Sequence, residues 1–307
     1  MRKIPALGLS LSMAIFLSSC SPSQTKGYLV IAGTTTESVK KKFVELANRT
    51  GDGKIVVFPM ASSNWDNWRT PSVIEARTEA WKELGAREVE HHILTREQAL
   101  DKENTKILDG VNAVWFWGGS QVRLADVLVG TPIHQRILEI YKNGGVIGGS
   151  SAGSQVMSEI MITGQQRTEI KPYDDPNERI SRLKRALFRF ETIEADNVIP
   201  APGFGFIKSA MIDTHSVKMK RYTRLISIVA DNPQLLGIGI DDKTAIIVKP
   251  DDTFEVAGER SVIVFDASGA TVHIDSDHAI SAYNVTMHIL KAGDWFDLKA
   301  KRVMGPK

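Results

Sequence analysis

The chain has 307 residues, a formal net charge of +2 and a single cysteine, Cys20. A charge this close to neutral does not provide the basic surface that nucleic-acid binding requires, so we expect no nucleic-acid partner. One cysteine excludes an internal disulfide and a cysteine-rich metal site, and the length suits one large domain.

The first twenty residues have the layout of a secretory signal. Two cations near the start precede an apolar run over residues 4–17 and a pair of small residues before Cys20. This run is shorter than the roughly twenty apolar residues of a spanning helix. Its end, Leu-Ser-Ser-Cys, resembles the lipobox of bacterial lipoproteins. We therefore expect residues 1–20 to be a signal segment and Cys20 to carry lipid that anchors the protein in the cell envelope, in the periplasm or at the outer membrane.

A polar tether at residues 21–26 leads into residues 27–307, which we expect to form a single α/β domain. Amphipathic helical stretches such as 37–49 alternate with apolar runs, which predicts a mostly parallel sheet with helices on both faces. After residue 235, short runs separated by turn residues predict β-hairpins that finish the sheet. The continuous apolar runs, typical of strands buried on both faces, occur at 28–32, 54–60, 88–93, 111–117 and 146–148.

The stretch Gly149-Ser150-Ser151-Ala152-Gly153 fits the pattern G-x-S-x-G. It follows a buried strand and precedes residues 155–160, which can form a helix, and this is the context of a nucleophile elbow. The central residue of the pattern is Ser151. The pattern alone leaves open a plain turn or an anion-binding loop.

A second glycine turn, Gly118-Gly119, also ends a buried strand. Both turns should therefore meet at the carboxyl edge of the sheet, where ligands bind in folds of this class. A backbone N–H of the second turn and the N–H of Ala152 could point there at a developing oxyanion, although these glycines could equally serve only to turn the chain.

A serine nucleophile needs a base, and the chain has seven histidines. His215 ends an apolar run and is followed by several cations, a pattern that by itself is typical of a basic surface helix. The alternation in His273-Ile-Asp275-Ser-Asp277-His278 could place metal ligands on one face, but a polar hairpin accounts for it as well. We expect neither a metal nor another cofactor.

Eight stretches together resemble the serine peptidase family that contains cyanophycinase and the aspartyl dipeptidases, with cyanophycinase-like proteins as the nearer branch. The resemblance implies a fold like that of class I glutamine amidotransferases, with serine in place of cysteine at the elbow. The stretches, in matching order and spacing, are GYLVIAG, IVVFPMASS, LGAREVE, FWGGSQVRL, GVIGGSSAG, MIDTH, GIGIDDKTA and HILKAGDWFDL.

The same resemblance implies roles for individual residues. It makes Ser151 the nucleophile and His215 the general base, and it places the oxyanion donors at Gly119 and Ala152. It also implies an acidic partner in the loop after the nucleophile helix. Glu169 lies at the expected spacing, with Asp174 and Asp175 as alternatives.

The residues implied for substrate binding are Gln121, Arg221 and Arg224. Three positions beside them depart from the family pattern: Ser120 replaces the usual Asp, Thr214 replaces Gln, and Met219 replaces Arg. Because these positions border the substrate pocket, the resemblance does not imply cleavage of cyanophycin, the branched β-aspartyl-arginine polymer.

The expected function is therefore a lipid-anchored serine exopeptidase that cleaves external peptides with an aspartyl or β-aspartyl residue. Its partners would be a peptide substrate and, through Cys20, a membrane. The sequence is also compatible with a homodimer. The alternative is a non-catalytic lipoprotein that binds a small ligand or peptide in the same cleft, and the presence of both Ser151 and His215 counts against it.

Overall fold

The computed structural model describes residues 26–167 and 193–305. The helices are α1 (Glu37–Thr50), α2 (Pro71–Lys82), α3 (Arg96–Leu100), α4 (Gln121–Leu128), α5 (Pro132–Lys142), α6 (Ala152–Gln155) and α7 (Tyr222–Asp231), and two 3₁₀ helices span Trp65–Arg69 and Lys102–Leu108. The strands are β1 (Tyr28–Ala32), β2 (Lys54–Phe58), β3 (Glu88–His91), β4 (Ala113–Phe116), β5 (Val146–Ser150), β6 (Ile160–Gln166), β7 (Val198–Pro202), β8 (Ala210–Thr214), β9 (Leu236–Ile240), β10 (Thr244–Val248), β11 (Thr253–Gly258), β12 (Val262–Asp266), β13 (Thr271–Ile274), β14 (Ile280–Tyr283), β15 (Thr286–Leu290), β16 (Trp295–Asp297) and β17 (Arg302–Val303).

The main sheet of the described residues has nine strands in the order β17-β16-β11-β10-β1-β5-β4-β2-β3. The five strands from β1 to β3 are parallel, and β10, β11, β16 and β17 add antiparallel strands at one side. This confirms the predicted mixed α/β arrangement with a parallel centre. Because parallel strands need a crossover between them, the helices of the first half lie over the sheet.

Successive residues of β1 point to two different apolar clusters. Leu29 and Ile31 belong to the larger cluster, which includes side chains from α4 and α5. Val30 and Ala32 belong to a second cluster, which includes Phe43 of α1 and Trp81 of α2. A strand that is buried on both faces needs apolar side chains at every position, which is why the run YLVIA is continuous.

A second sheet of four strands has the order β15-β12-β9-β8. The sequence predicted that the late strands all finish one sheet, and this is correct for the β10–β11 hairpin but wrong for β9 and β12. Strand β9 pairs in parallel with β8, with Thr214 opposite Ile240. The carboxyl ends of β8 and β9 therefore lie together at one edge of the second sheet.

The two sheets meet where β1 and β9 end. A Cβ atom on Gly33, the residue after β1, would lie 2.1 Å from the carbonyl oxygen of Asp241, which directly follows β9. The N–H of Ser151, after β5, donates to the carbonyl of Ala32 at the end of β1 (2.9 Å). Residues that follow β5, β8 and β9 are thus brought to one place, although they belong to two sheets.

Helix α6 is shorter than the sequence predicted, because it ends at Gln155 instead of extending through residues 155–160. The carbonyl of Val156 accepts from the N–H of Phe204 (2.6 Å), and the carbonyl of Ser158 accepts from Gly205 (3.3 Å). These long-range hydrogen bonds take the carbonyls that a longer helix would use, and β6 begins at Ile160.

Candidate active site

Ser151 forms a sharp turn between β5 and α6. Its backbone has φ 53° and ψ −119°, a conformation that costs a non-glycine residue about 1–3 kcal/mol and persists only where the surroundings fix it. Gly153 fixes it from the helix side, since an added Cβ atom there would lie 2.2 Å from the carbonyl oxygen of Phe116 in β4. The serine at the centre of the G-x-S-x-G pattern therefore sits in a tight turn.

Ser150 and Ser154, the neighbouring serines, are buried. The hydroxyl of Ser154 accepts from the N–H of Ala32 (2.9 Å) and lies 2.8 Å from the carbonyl oxygens of Ala32 and Gly149. Ser154 thus joins β1 to the start of α6, and its hydroxyl is occupied. Ser151 lines the cavity at this edge of the sheet, and neither Ser150 nor Ser154 is among the described residues that line it.

His215 follows β8 directly, at the carboxyl edge of the second sheet. Its N–H donates to the carbonyl of Ile240 in β9 (2.8 Å), and its φ is 59°. The ring Nε2 lies 2.8 Å from Ser151 Oγ. The structure therefore brings the predicted serine and histidine within hydrogen-bonding distance, from two separate sheets.

The other ring nitrogen of His215 is hydrogen-bonded to Asp242, a residue that was not predicted from the sequence. Nδ1 bonds to Oδ1 of this carboxylate, and Asp242 is a buried residue two positions after β9. Glu169, the expected acidic partner, and its alternatives Asp174 and Asp175 lie outside the described residues. The stretch GIGIDDKTA is the sequence signal that could have identified Asp242, because two acids directly follow an apolar strand there.

Burial raises the pKa of the Asp242 carboxyl, but the hydrogen bonds and the electrostatic attraction of Lys218 and His215 together lower it by more, so the pKa lies below its ordinary value. The group is therefore an anion at neutral pH. A carboxylate only accepts hydrogen bonds, so Nδ1 of the neutral His215 ring carries the proton and Nε2 accepts from Ser151. This chain of three groups is the arrangement that lets an imidazole take a proton from a serine hydroxyl.

Of the two predicted oxyanion donors, Ala152 directly follows the serine and Gly119 lines the same cavity as the serine. Ala152 is the first residue of α6, and the first N–H groups of a helix have no partner within it. Gly119 has φ 142°, and an added Cβ atom would lie 2.0 Å from the carbonyl oxygen of Ala61, so only glycine fits this turn. A Cβ atom on Gly118 would lie 3.0 Å from the Cβ of Ser151, which places the glycine turn against the serine.

A cavity of about 310 Å³ opens beside Ser151 and His215. The side chains of Gln121, Arg221 and Arg224, which the sequence predicts to bind substrate, line this cavity together with Gly119. Of the three positions that depart from the family pattern, Ser120 and Met219 also line it, whereas Thr214 is fully buried.

A buried ion pair underlies the cavity. Arg224 Nε donates to Asp213 Oδ2 at 2.7 Å, a second nitrogen of Arg224 bonds to Oδ1, and the amide of Gln155 donates to Oδ1 at 2.8 Å. The amide of Gln121 donates to the carbonyl of Ile162 (2.8 Å). These contacts fix the side chains that form the floor of the cavity, so its shape is largely set before a ligand binds.

The remaining polar stretch is the predicted hairpin, formed by β13 and β14. In residues 26–167 and 193–305, no group of three or more acidic, histidine or cysteine side chains is placed to hold a metal ion. Likewise, no helix in this described part is long and apolar enough to cross a membrane.

A serine on a sharp strand-to-helix turn that is hydrogen-bonded to a histidine is the arrangement of the α/β serine hydrolases. Residues 28–256 match the model of peptidase family S51. The chain therefore belongs to peptidase family S51 and is a serine-type peptidase.

Curated relatives agree with this assignment over most of the chain. A cyanophycinase from Geminocystis herdmanii is 31% identical over 287 residues, which cover 90% of this chain and 95% of the relative. A cyanophycinase from Trichormus variabilis is 30% identical over 295 residues, covering 92% and 90%. The crystal structure of a peptidase from an acI-B1 Actinobacterium is similar in fold, with a TM-score of 0.58 and 22% identity over 90% of this chain and 98% of that one.

Proposed function

We propose that the protein is a cyanophycinase-like serine exopeptidase that cleaves peptides with an aspartyl or β-aspartyl residue through an acyl-enzyme. The observation that carries this proposal is the hydrogen-bonded chain from Ser151 through His215 to Asp242, whose first two members line a cavity. The proposal includes a fold like that of class I glutamine amidotransferases, which the strained serine between β5 and α6 supports.

In the proposed reaction, His215 Nε2 takes the proton of Ser151 as Oγ attacks the carbonyl carbon of the substrate. The carbonyl oxygen becomes an oxyanion that accepts hydrogen bonds from the N–H groups of Gly119 and Ala152. The protonated His215 then gives its proton to the leaving amine, and an acyl-serine ester forms. Water attacks this ester with His215 as base again, which releases the acid and regenerates Ser151.

We assign the acidic role in this mechanism to Asp242 instead of Glu169. A buried carboxylate on Nδ1 holds the ring in the tautomer that leaves Nε2 free to accept a proton, and it stabilises the imidazolium that forms. The contact between Nδ1 and Asp242 Oδ1 supports the assignment.

The proposed preference for acidic peptides rests on the charges around the cavity. Arg221 and Arg224 are the charged side chains among the described residues that line it, and neither Asp nor Glu does. Because Asp213 already pairs with Arg224, Arg221 is the side chain that we assign to the free carboxylate of an aspartyl or β-aspartyl residue. Digestion of a peptide library with matched α-linked and β-linked aspartyl bonds identifies the preferred linkage.

The first test uses a fluorophosphonate probe, which labels an activated serine without knowledge of the substrate. We expect the wild type to be labelled and Ser151→Ala to lose the label completely, because the hydroxyl that reacts has been removed. Ser150→Ala is the matched control and should keep the label. A wild type that is folded but not labelled would support the alternative of a non-catalytic binding protein.

We further propose that Cys20 carries a lipid and that the protein works outside the cytoplasm. The signal-like sequence of the first twenty residues supports this proposal. These residues lie outside the part of the chain that the structure describes. Mass spectrometry of the N-terminal peptide should find a lipid-modified Cys20 as the first residue, and Cys20→Ser should leave the membrane fraction. A mature chain that starts at another residue would contradict the anchor.

A further inference from the structure

The second oxygen of the Asp242 carboxylate is bound by a lysine. Oδ1 contacts His215, whereas Oδ2 forms a salt bridge with Nζ of Lys218. The carboxylate is nearly buried, with 7% of its side chain exposed, and the lysine side chain is 59% exposed. Lys218 and His215, the proposed base, therefore bind the same carboxylate, and Lys218 reaches it from the solvent side.

A compact turn brings Lys218 back to the carboxylate. The N–H of Met219 donates to the carbonyl of His215 (2.9 Å), and the N–H of Arg221 donates to Ser216 (2.8 Å), so the chain after His215 folds upon itself. The N–H of Lys218 donates to Oδ1 of Asp241 (3.0 Å), the residue before Asp242. Asp241 therefore binds the backbone N–H of Lys218, and Asp242 binds the side-chain ammonium of the same lysine.

The other charged groups near this carboxylate are engaged elsewhere. Among the described residues, the ion pairs of Asp242 are those with His215 and Lys218. The surrounding groups and their partners are Asp241 with Arg260 (3.5 Å), Lys243 with Glu259 (3.0 Å), Arg224 with Asp213, and Arg221 with the carbonyl of Thr214 (3.2 Å). Lys218 is therefore the cation whose removal changes the charge at the carboxylate most directly.

We propose that Lys218 is a positioning residue that acts through Asp242 and limits how strongly this carboxylate holds a proton on His215. This inference rests on the proposed serine peptidase function. A lysine on Oδ2 draws negative charge away from Oδ1 and fixes the rotation of the carboxylate. Without the lysine, the full negative charge faces Nδ1 and favours the imidazolium, so His215 keeps its proton to a higher pH and is a base over a narrower range.

The experiment measures the rate of fluorophosphonate labelling of Ser151 against pH, with Lys218→Met, Lys218→Arg and the wild type. The methionine side chain keeps the apolar stem and removes the charge. We expect the acidic limb of the Lys218→Met profile to move up by about 0.5–1 pH unit, with a rate at high pH within about threefold of the wild type. Lys218→Arg keeps the charge, so its limb should stay at the wild-type pH.

Lys208→Met is the matched control, because Lys208 is an exposed lysine that pairs with Glu159 (3.3 Å) away from the cavity. Thermal melts at each pH establish that the variants are folded. Superimposable profiles for Lys218→Met, Lys208→Met and the wild type would overturn the proposal and leave the function standing. Loss of serine labelling in the wild type would instead overturn the function itself. At high salt the shift should shrink, since Lys218 reaches the carboxylate from solvent.

Discussion

Asp242→Asn is expected to lower the rate of fluorophosphonate labelling by about 1,000- to 10,000-fold while the protein stays folded. A neutral amide cannot stabilise the imidazolium. Its NH₂ group can also donate to Nδ1 of His215, which moves the ring proton to Nε2. In that tautomer Nε2 can no longer accept the proton of Ser151. Labelling rates of the variant and the wild type at one neutral pH measure the effect.

Two variants make this prediction specific. Asp241→Asn removes the adjacent carboxylate, which contacts the backbone N–H of Lys218 and the side chain of Arg260, and we expect it to lower the rate by less than about tenfold. Glu169→Gln tests the acid that the family resemblance implies. If Asp242→Asn keeps its reactivity and Glu169→Gln loses it, the acidic partner is Glu169.

Gly153→Ala is expected to lower the free energy of unfolding by about 2–3 kcal/mol and to reduce serine labelling as well. The new Cβ atom would lie 2.2 Å from the carbonyl oxygen of Phe116, so either α6 or β4 must move. Movement of α6 shifts Ser151, two residues away, relative to His215. Urea unfolding measures the loss of stability, and labelling of the folded variant measures the loss of reactivity.

Gly269→Ala provides the control for this substitution. No atom lies within 4 Å of a Cβ atom built at Gly269, and its backbone is outside the left-handed region. Its unfolding free energy should stay within about 0.5 kcal/mol of the wild type. Equal stability of Gly153→Ala and Gly269→Ala would contradict the prediction, because it would show that α6 and β4 can move apart without loss of unfolding free energy.

Local patterns were enough to predict the central parallel strands and the serine turn. Continuous apolar runs identify strands that are buried on both faces, and glycines around Ser151 indicate close approach of a helix and a strand. Local patterns did not predict the early end of α6, because it depends on contacts that are distant in the sequence. Long-range hydrogen bonds to residues 203–207 override the helical preference of residues 155–160.

The position of Asp242 could not be predicted from local periodicity, because it depends on which strand β9 pairs with. The pattern of β9 fits a hairpin of the main sheet as well as it fits a partner of β8. Only the parallel pairing of β8 with β9 places the residues after both strands side by side. The family resemblance implied an acid in the loop after the nucleophile helix, which pointed to Glu169, whereas Asp242 lies 91 residues after Ser151.

The division of the site between two sheets means that catalysis depends on how these two sheets lie against each other. Ser151 directly follows a strand of the nine-stranded sheet, whereas His215 and Asp242 follow strands of the four-stranded one. A displacement of one sheet against the other by little more than 1 Å would break the 2.8 Å contact between serine and histidine and leave every strand pair intact. The reactivity of Ser151 therefore reports the relative position of the two sheets. It can be lost when one sheet slides against the other, without any unfolding.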